Sequence, residues 1–143
     1  LTQVVVAVTF AALKDWGGIE FVEANDGSTI RHARFEKAKV AIGSLATPFA
    51  LSNSRFSGCG TAVKLIREAS PLIEKNTFDD NEIAIDNEMK SSPTIRENTF
   101  RGQTKSAILA SHNSVGPIEK NLFEVHRPRR GEPLCRQRSR DLL

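Results

Sequence analysis

The residues best equipped for chemistry crowd into one short stretch: Asp79, Asp80, Glu82, Asp86 and Glu88. Two carboxylates at a suitable separation can cleave a glycosidic bond, one as proton donor and the other as base or nucleophile. Carboxylate-rich turns also suit calcium, a cation that takes hard oxygen ligands. Asp79, Asp80, Glu82 and Asp86 are therefore the candidate catalytic residues, and Asp79, Asp80 and Glu82 the candidate calcium ligands; no other cofactor is implied. The Asp79-Asp80-Asn81 step reads equally well as a solvated turn. Elsewhere, Trp16 is a candidate platform for stacking a sugar, or an edge residue packed beside Gly17-Gly18. His112, with Asn113, is placed to line a loop before Pro117, although His32, His112 and His126 share no ligand spacing. Cys59 and Cys135, 76 residues apart, fit neither a metal-ligand nor a CxxC spacing.

The elements that must position these groups are written in a repeat. Phe35, Phe56, Phe78, Phe100 and Phe123 recur at spacings of 21, 22, 22 and 23 residues. Five places before each stands an aliphatic residue: Ile30, Leu51, Ile73, Ile95 and Ile118. After each Phe and a polar gap comes an alternating apolar pair, Val40/Ile42, Val63/Leu65, Ile83/Ile85 and Ile108/Ala110. Each repeat thus carries three short strand signals divided by turns, too brief for amphipathic helices. Stacked repeats of this kind bury their apolar faces on one another. The expected fold is all-β, a single-stranded right-handed parallel β-helix of about five to six coils with three short strands per coil.

Polar positions agree. Asn76, Asn98 and Asn121 stand two places before Phe, with Ala33 and Ser54 in the earlier copies, and stacked Asn side chains can pass amide hydrogen bonds from coil to coil. Four places before Phe the column reads Arg31, Ser52, Glu74, Arg96, Glu119, and three places before it His32, Asn53, Lys75, Glu97, Lys120. Opposite charges alternate through the last three copies, as in-register cross-strand pairing favours. Before the repeat, Val4 to Val8 reads as a strand, since no Lys or Arg precedes it and no apolar run approaches membrane-spanning length. Asn25-Asp26-Gly27 reads as a turn.

The phrases Trp16-Gly17-Gly18-Ile19-Glu20-Phe21, Pro71-Leu72-Ile73-Glu74-Lys75-Asn76-Thr77-Phe78 and Pro93-Thr94-Ile95-Arg96-Glu97-Asn98-Thr99-Phe100 carry a resemblance. Over roughly residues 5–125 the chain resembles the right-handed parallel β-helix repeat proteins, a group that includes pectate-lyase-like and copper-maturation surface or periplasmic proteins. The resemblance implies a short or truncated β-helix and an extracellular or periplasmic location. It implies little about activity, because one fold hosts many functions. The Asn-Thr-Asp phrase of polygalacturonases and the Asp-Pro-His phrase of mannuronan epimerases are both missing.

Charge divides the chain. Residues 127–143 hold six Arg against Glu132 and Asp141, a net of +4, so of the total of +3 the remainder carries −1. A domain at 1–126 is followed by a basic tail at 127–143, disordered or forming a short capping helix. The body carries no basic patch for nucleic acid, and no membrane segment is expected. The expected role is a non-enzymatic module offering a rigid surface to a polysaccharide or a protein. The alternative is a lyase or hydrolase acting on an acidic polysaccharide. The N-terminal coil, Val4 to Phe21, is expected to meet a second copy, because an uncapped solenoid end exposes strand edges.

Overall fold

Three columns of side chains run the length of the molecule, and the chain winds around them. The computed structural model describes residues 2–4, 17–24 and 27–124. An initial turn holds β1 (Thr2–Val4) and β2 (Ile19–Val22). Three full coils follow: β3 (Ser28–Arg31), β4 (Arg34–Glu36) and β5 (Val40–Leu45); β6 (Phe49–Ser52), β7 (Arg55–Ser57) and β8 (Thr61–Ile66); β9 (Leu72–Glu74), β10 (Thr77–Asp79) and β11 (Ile83–Asn87). The fourth is β12 (Thr94–Arg96), β13 (Thr99–Arg101) and β14 (Ser106–Ala110), and β15 (Ile118–Glu119) with β16 (Leu122–Glu124) begins a fifth. All pairing is parallel and links each strand to its equivalent one coil away. The result is three sheets: β1-β3-β6-β9-β12-β15, here sheet A; β4-β7-β10-β13-β16, sheet B; and β2-β5-β8-β11-β14, sheet C.

The core is what the repeat demanded. Ile30, Leu51, Ile73, Ile95 and Ile118 are register partners along sheet A, and the five phenylalanines along sheet B. Their rings stack nearly parallel with centroids 4.8 to 5.0 Å apart, which is the strand spacing of a sheet expressed in side chains. Phe21 stacks on Phe49 at 5.1 Å and closes the interior near the N-terminal end.

The third strand differs from the sequence reading. Ile42, Val63, Ile85 and Ile108 form one inward column, whereas Val40, Thr61, Ile83 and Ser106 form a second register column and Ser44, Leu65, Asn87 and Ala110 a third. Taking Val63/Leu65 and Ile108/Ala110 as the equivalents of Val40/Ile42 and Ile83/Ile85 misplaces those two coils by two residues. A two-residue slip keeps the same side chains inward, so alternation alone does not reveal it. The correct register adds a buried column of Ala41, Ala62, Ala84 and Ala107 beside the aliphatic one.

Each corner reverses the chain through residues with positive φ. His32, Asn53, Lys75, Glu97 and Lys120 make the first corner, and Lys37, Gly58, Asp80 and Gly102 the second. At the third, Ala46 stands alone where the later coils use pairs: Arg67-Glu68, Met89-Lys90 and His112-Asn113. That extra residue accounts for the lengthening from 21 to 22. The step to 23 enters after Gln103, where Thr104 and Lys105 occupy the place held by Glu82 alone one coil earlier. Drift is absorbed at corners, and the strands keep their register. Of the expected features, most of the Val4–Val8 run, the residues Asn25 and Asp26, the greater part of the Val4–Phe21 association surface and the 127–143 tail lie outside the described residues.

Candidate functional site

The acidic stretch does not converge. Asp79, directly after Phe78 on β10, is buried on the outer face of sheet B between two arginines from adjacent coils. Arg101 Nε donates to its Oδ1 at 3.0 Å, and Arg55 lies 2.8 Å from its Oδ2, close enough to pair in charge although not aligned as a hydrogen bond. Asp80 is the exposed positive-φ residue of the second corner, stacked below Gly102. Glu82 is exposed and binds Lys105 at 3.0 Å. Among the described residues no group of three His, Cys, Asp or Glu side chains is gathered that could hold a metal ion. Asp79, Asp80 and Glu82 instead face an ion-pair column, a corner and a lysine.

Asp86 is different. It lies outward on β11 in sheet C, in register with Lys64 and Leu109, and is buried. Burial pushes its carboxyl above the usual carboxylate range; Glu88 adds to the rise, and Lys64 opposes it. Its Oδ1 has no hydrogen-bond partner. His112 is exposed at the third corner, with Nδ1 3.1 Å from Ser111 Oγ. It borders an open trough of about 570 Å³ with Ala46, Arg67, Met89 and Lys90. Trp16 lies outside the described residues. Cys59 is enclosed, and burial pushes its thiol up, away from the reactive thiolate.

A second depression crosses sheet A. Ile30, Leu51 and Ile73 point inward, so their neighbours Thr29, Ala50 and Leu72, and Arg31, Ser52 and Glu74, form two outward rows. The short Ala50 and Ser52 sit between longer side chains and leave a trough of about 340 Å³, bordered at the corner by His32, Asn53 and Lys75. Glu74 is held by Arg96 at 2.8 Å. Arg31 has no ion-pair partner among the described residues.

The family model described as right handed beta helix region matches residues 13–131. The chain belongs to this right-handed β-helix family. Comparison with curated proteins and with solved structures returns no significant match. Among the described residues of this β-helix, no helix is long and apolar enough to cross a membrane.

The Asn column works as the sequence implied, with one addition. Ser54, Asn76 and Asn98 each give their backbone N–H to the Oδ1 of the next Asn at 2.9 to 3.0 Å, and each Asn Nδ2 donates to a carbonyl one coil back. A second ladder, three places after Phe, was missed. Cys59 N–H donates to Asn81 Oδ1 and Asn81 N–H to Gln103 Oε1, while Asn81 and Gln103 amides donate to the carbonyls of Phe56 and Phe78. Its members differ in type, so identity does not flag it; their common spacing of 22 does. The first-corner residues Lys75, Glu97 and Lys120 are exposed and form no ion pair among the described residues, where the expected charge stacking is realised in the Glu74–Arg96 contact rather than at that corner.

Proposed function

We propose that this β-helix is a non-catalytic module that binds a polysaccharide on the outer face of sheet A. The trough over Ala50 and Ser52 carries the reading. Its volume is that of a small ligand site, and its lining offers hydroxyl, amide, guanidinium and imidazole groups on rigid parallel strands. Flat parallel strands repeat those groups at the coil spacing, which suits a ligand that is itself a repeating chain. The non-catalytic part is supported by the acids. Asp79 is committed to charge pairing between Arg55 and Arg101, Asp80 lies at a corner and Glu82 pairs with Lys105, so these acids do not stand as a facing pair.

Affinity electrophoresis through gels containing neutral or acidic polysaccharides tests the binding. Retardation that is lost in Arg31→Ala and Asn53→Ala, with no reducing-sugar or unsaturated product formed, supports the reading. No retardation by any polysaccharide would overturn it and leave a protein ligand as the better account.

One observation favours a second reading, a hydrolase or lyase acting on an acidic polysaccharide. Asp86 is a buried carboxyl beside Glu88 with its proton affinity raised, as a general acid requires. Product formation abolished by Asp86→Asn would establish this reading. Product formation lost in Asp79→Ala or Asp80→Ala would equally displace the binding-only one.

A further inference from the structure

Two of the buried oxygens that lack a hydrogen-bond partner among the described residues border one cavity, between the third and fourth coils. The inner column at the end of sheet C reads Ser44, Leu65, Asn87 and Ala110. Ser44 gives its hydroxyl to the Thr47 carbonyl, and Leu65 fills the core. Asn87 is only 4 % exposed, yet its Oδ1 is unpartnered. Ala110 is too short to fill the place that Leu65 fills two coils earlier, and about 70 Å³ stays open beside it. The same space is lined by Ser114, whose Oγ is also buried and unpartnered, whereas the Ser91 hydroxyl takes the Ala69 N–H at 3.1 Å. In a core whose ladder amides are bonded, two such oxygens call for an explanation.

The walls are pinned and mostly apolar. The 111–117 loop is tied down by Ser111 N–H on Asn87 O at 3.0 Å, Val115 N–H on Ser91 O at 3.3 Å and Ile95 N–H on Pro117 O at 2.9 Å. Ile95, Ile108 and Ile118 supply hydrocarbon, and no charged side chain lines the space. Asn87 and Ile95 are buried at its floor, whereas Ala110, Val115 and Ile118 are exposed at its mouth. A charged group would enter without a counter-charge, so the occupant is neutral. The space is roughly half of the ~150 Å³ that admits benzene, which limits the occupant to about four non-hydrogen atoms.

We propose that this cavity binds the acetamido group of an N-acetylated sugar, at a site separate from the trough on sheet A. Asn87 Oδ1 accepts the amide N–H, Ser114 Oγ donates to the carbonyl oxygen, and the methyl lies against Ile108 and Ile118. Each stranded oxygen thereby gains a partner, and the apolar wall is covered. A sugar hydroxymethyl group satisfies the same oxygens but leaves that wall bare. Ser111, His112 and Asn113 of the same loop carry the hydroxyl, imidazole and amide groups that suit ring hydroxyls outside the mouth, which favours a sugar over an acetylated lysine with its hydrocarbon stem. The cavity and the sheet A trough share no lining residue.

Titration of the ¹⁵N-labelled full chain with methyl N-acetylglucosaminide, followed by NMR, tests this. The amides of Asn87 and of 110–116 shift saturably with a Kd in the millimolar range, as a small neutral fragment allows. Methyl glucoside and N-acetyl-lysine methylamide serve as controls. Ser114→Ala weakens binding about five- to tenfold. Asn87→Leu, which repeats the Leu65 side chain in the column and so keeps a filled core, abolishes it. Arg31→Ala leaves it unchanged, which separates this site from polysaccharide binding on sheet A. The proposal is overturned by the absence of a saturable shift up to about 50 mM, by equal shifts with methyl glucoside, or by tighter binding of the lysine derivative. It is also overturned if the shifts persist in Asn87→Leu, if Ser114→Ala leaves the Kd unchanged, or if Arg31→Ala removes the shifts.

Discussion

Replacing Asn98 by alanine removes the middle of the first ladder, and the cost can be worked from its partners. Asn98 Oδ1 accepts from Asn76 N–H at 2.9 Å and Asn76 Nδ2 at 3.1 Å, and its own Nδ2 donates to Ile73 O at 2.9 Å and Asn121 Oδ1 at 3.1 Å. Three of these groups keep another partner in the variant: Asn76 Nδ2 still reaches Leu51 O, Asn121 Oδ1 still receives Asn98 N–H, and the Ile73 carbonyl keeps the ladder N–H of Arg96. One is stranded, the Asn76 N–H. At about 1–3 kcal/mol for a buried unsatisfied group, Asn98→Ala loses roughly 1–3 kcal/mol, a sizeable part of the ~5–15 kcal/mol of a typical domain. Urea unfolding followed by circular dichroism measures it, the midpoint falling while the slope holds. A loss below about 1 kcal/mol, the net worth of an ordinary hydrogen bond, would refute the reasoning. Asn98→Asp adds a sign. A carboxylate there keeps the Asn76 contact but faces Asn121 Oδ1 and Ile73 O, so its folded pKa lies above the unfolded ~3.9. The charged form is disfavoured in the fold, so this variant recovers stability as pH falls through its folded pKa and loses it again as pH rises.

Phe78→Ala, fully buried between two rings, costs about 3–5 kcal/mol in urea unfolding, whereas Phe123→Ala, half-exposed with a ring on one side, costs clearly less; equal losses would contradict the stacking account. Gly18→Ala drives a Cβ into the Val40 carbonyl oxygen at φ +76, and it destabilises more than Gly102→Ala, whose Cβ meets the movable Asp80 side chain. Asp86 has a folded pKa raised above its unfolded value, so its contribution to stability is present at low pH and lost as pH rises through the folded pKa. Asp86→Asn removes that component, and thermal midpoints across acidic pH then show the variant gaining on the wild type as pH increases.

The coils were legible because phenylalanine and the aliphatic residue five places before it hold one type at one position through every turn. The third strand was not, because Val63 and Leu65 point the same way and either can be taken as the partner of Ile42. The candidate site was misleading for a related reason. Asp79, Asp80 and Glu82 look like a cluster along the chain, but in a β-helix the neighbours of a side chain stand about one coil away. Arg101 occupies the place of Asp79 one coil on, and Arg55 stands beside its place one coil back, so the same counting that found the Phe column also finds this ion triad. The trough on sheet A is harder to read in advance, since its signal is the small size of Ala50 and Ser52 between larger residues.

The shared spacing of the columns bears on how the molecule forms. From β2 onward every strand pairing joins residues 21 to 23 apart, whichever coil is considered. The first pair of coils must close a loop of that size with little to hold it, at an entropic cost that grows only as the logarithm of loop length. Each later coil closes the same loop onto a surface already ordered. Growth should therefore proceed outward from one central pair, with the Phe56–Phe78 region, where all three columns and both ladders run together, as the natural seed. Lengthening such a chain by whole coils would add stability while leaving the difficult first step unchanged.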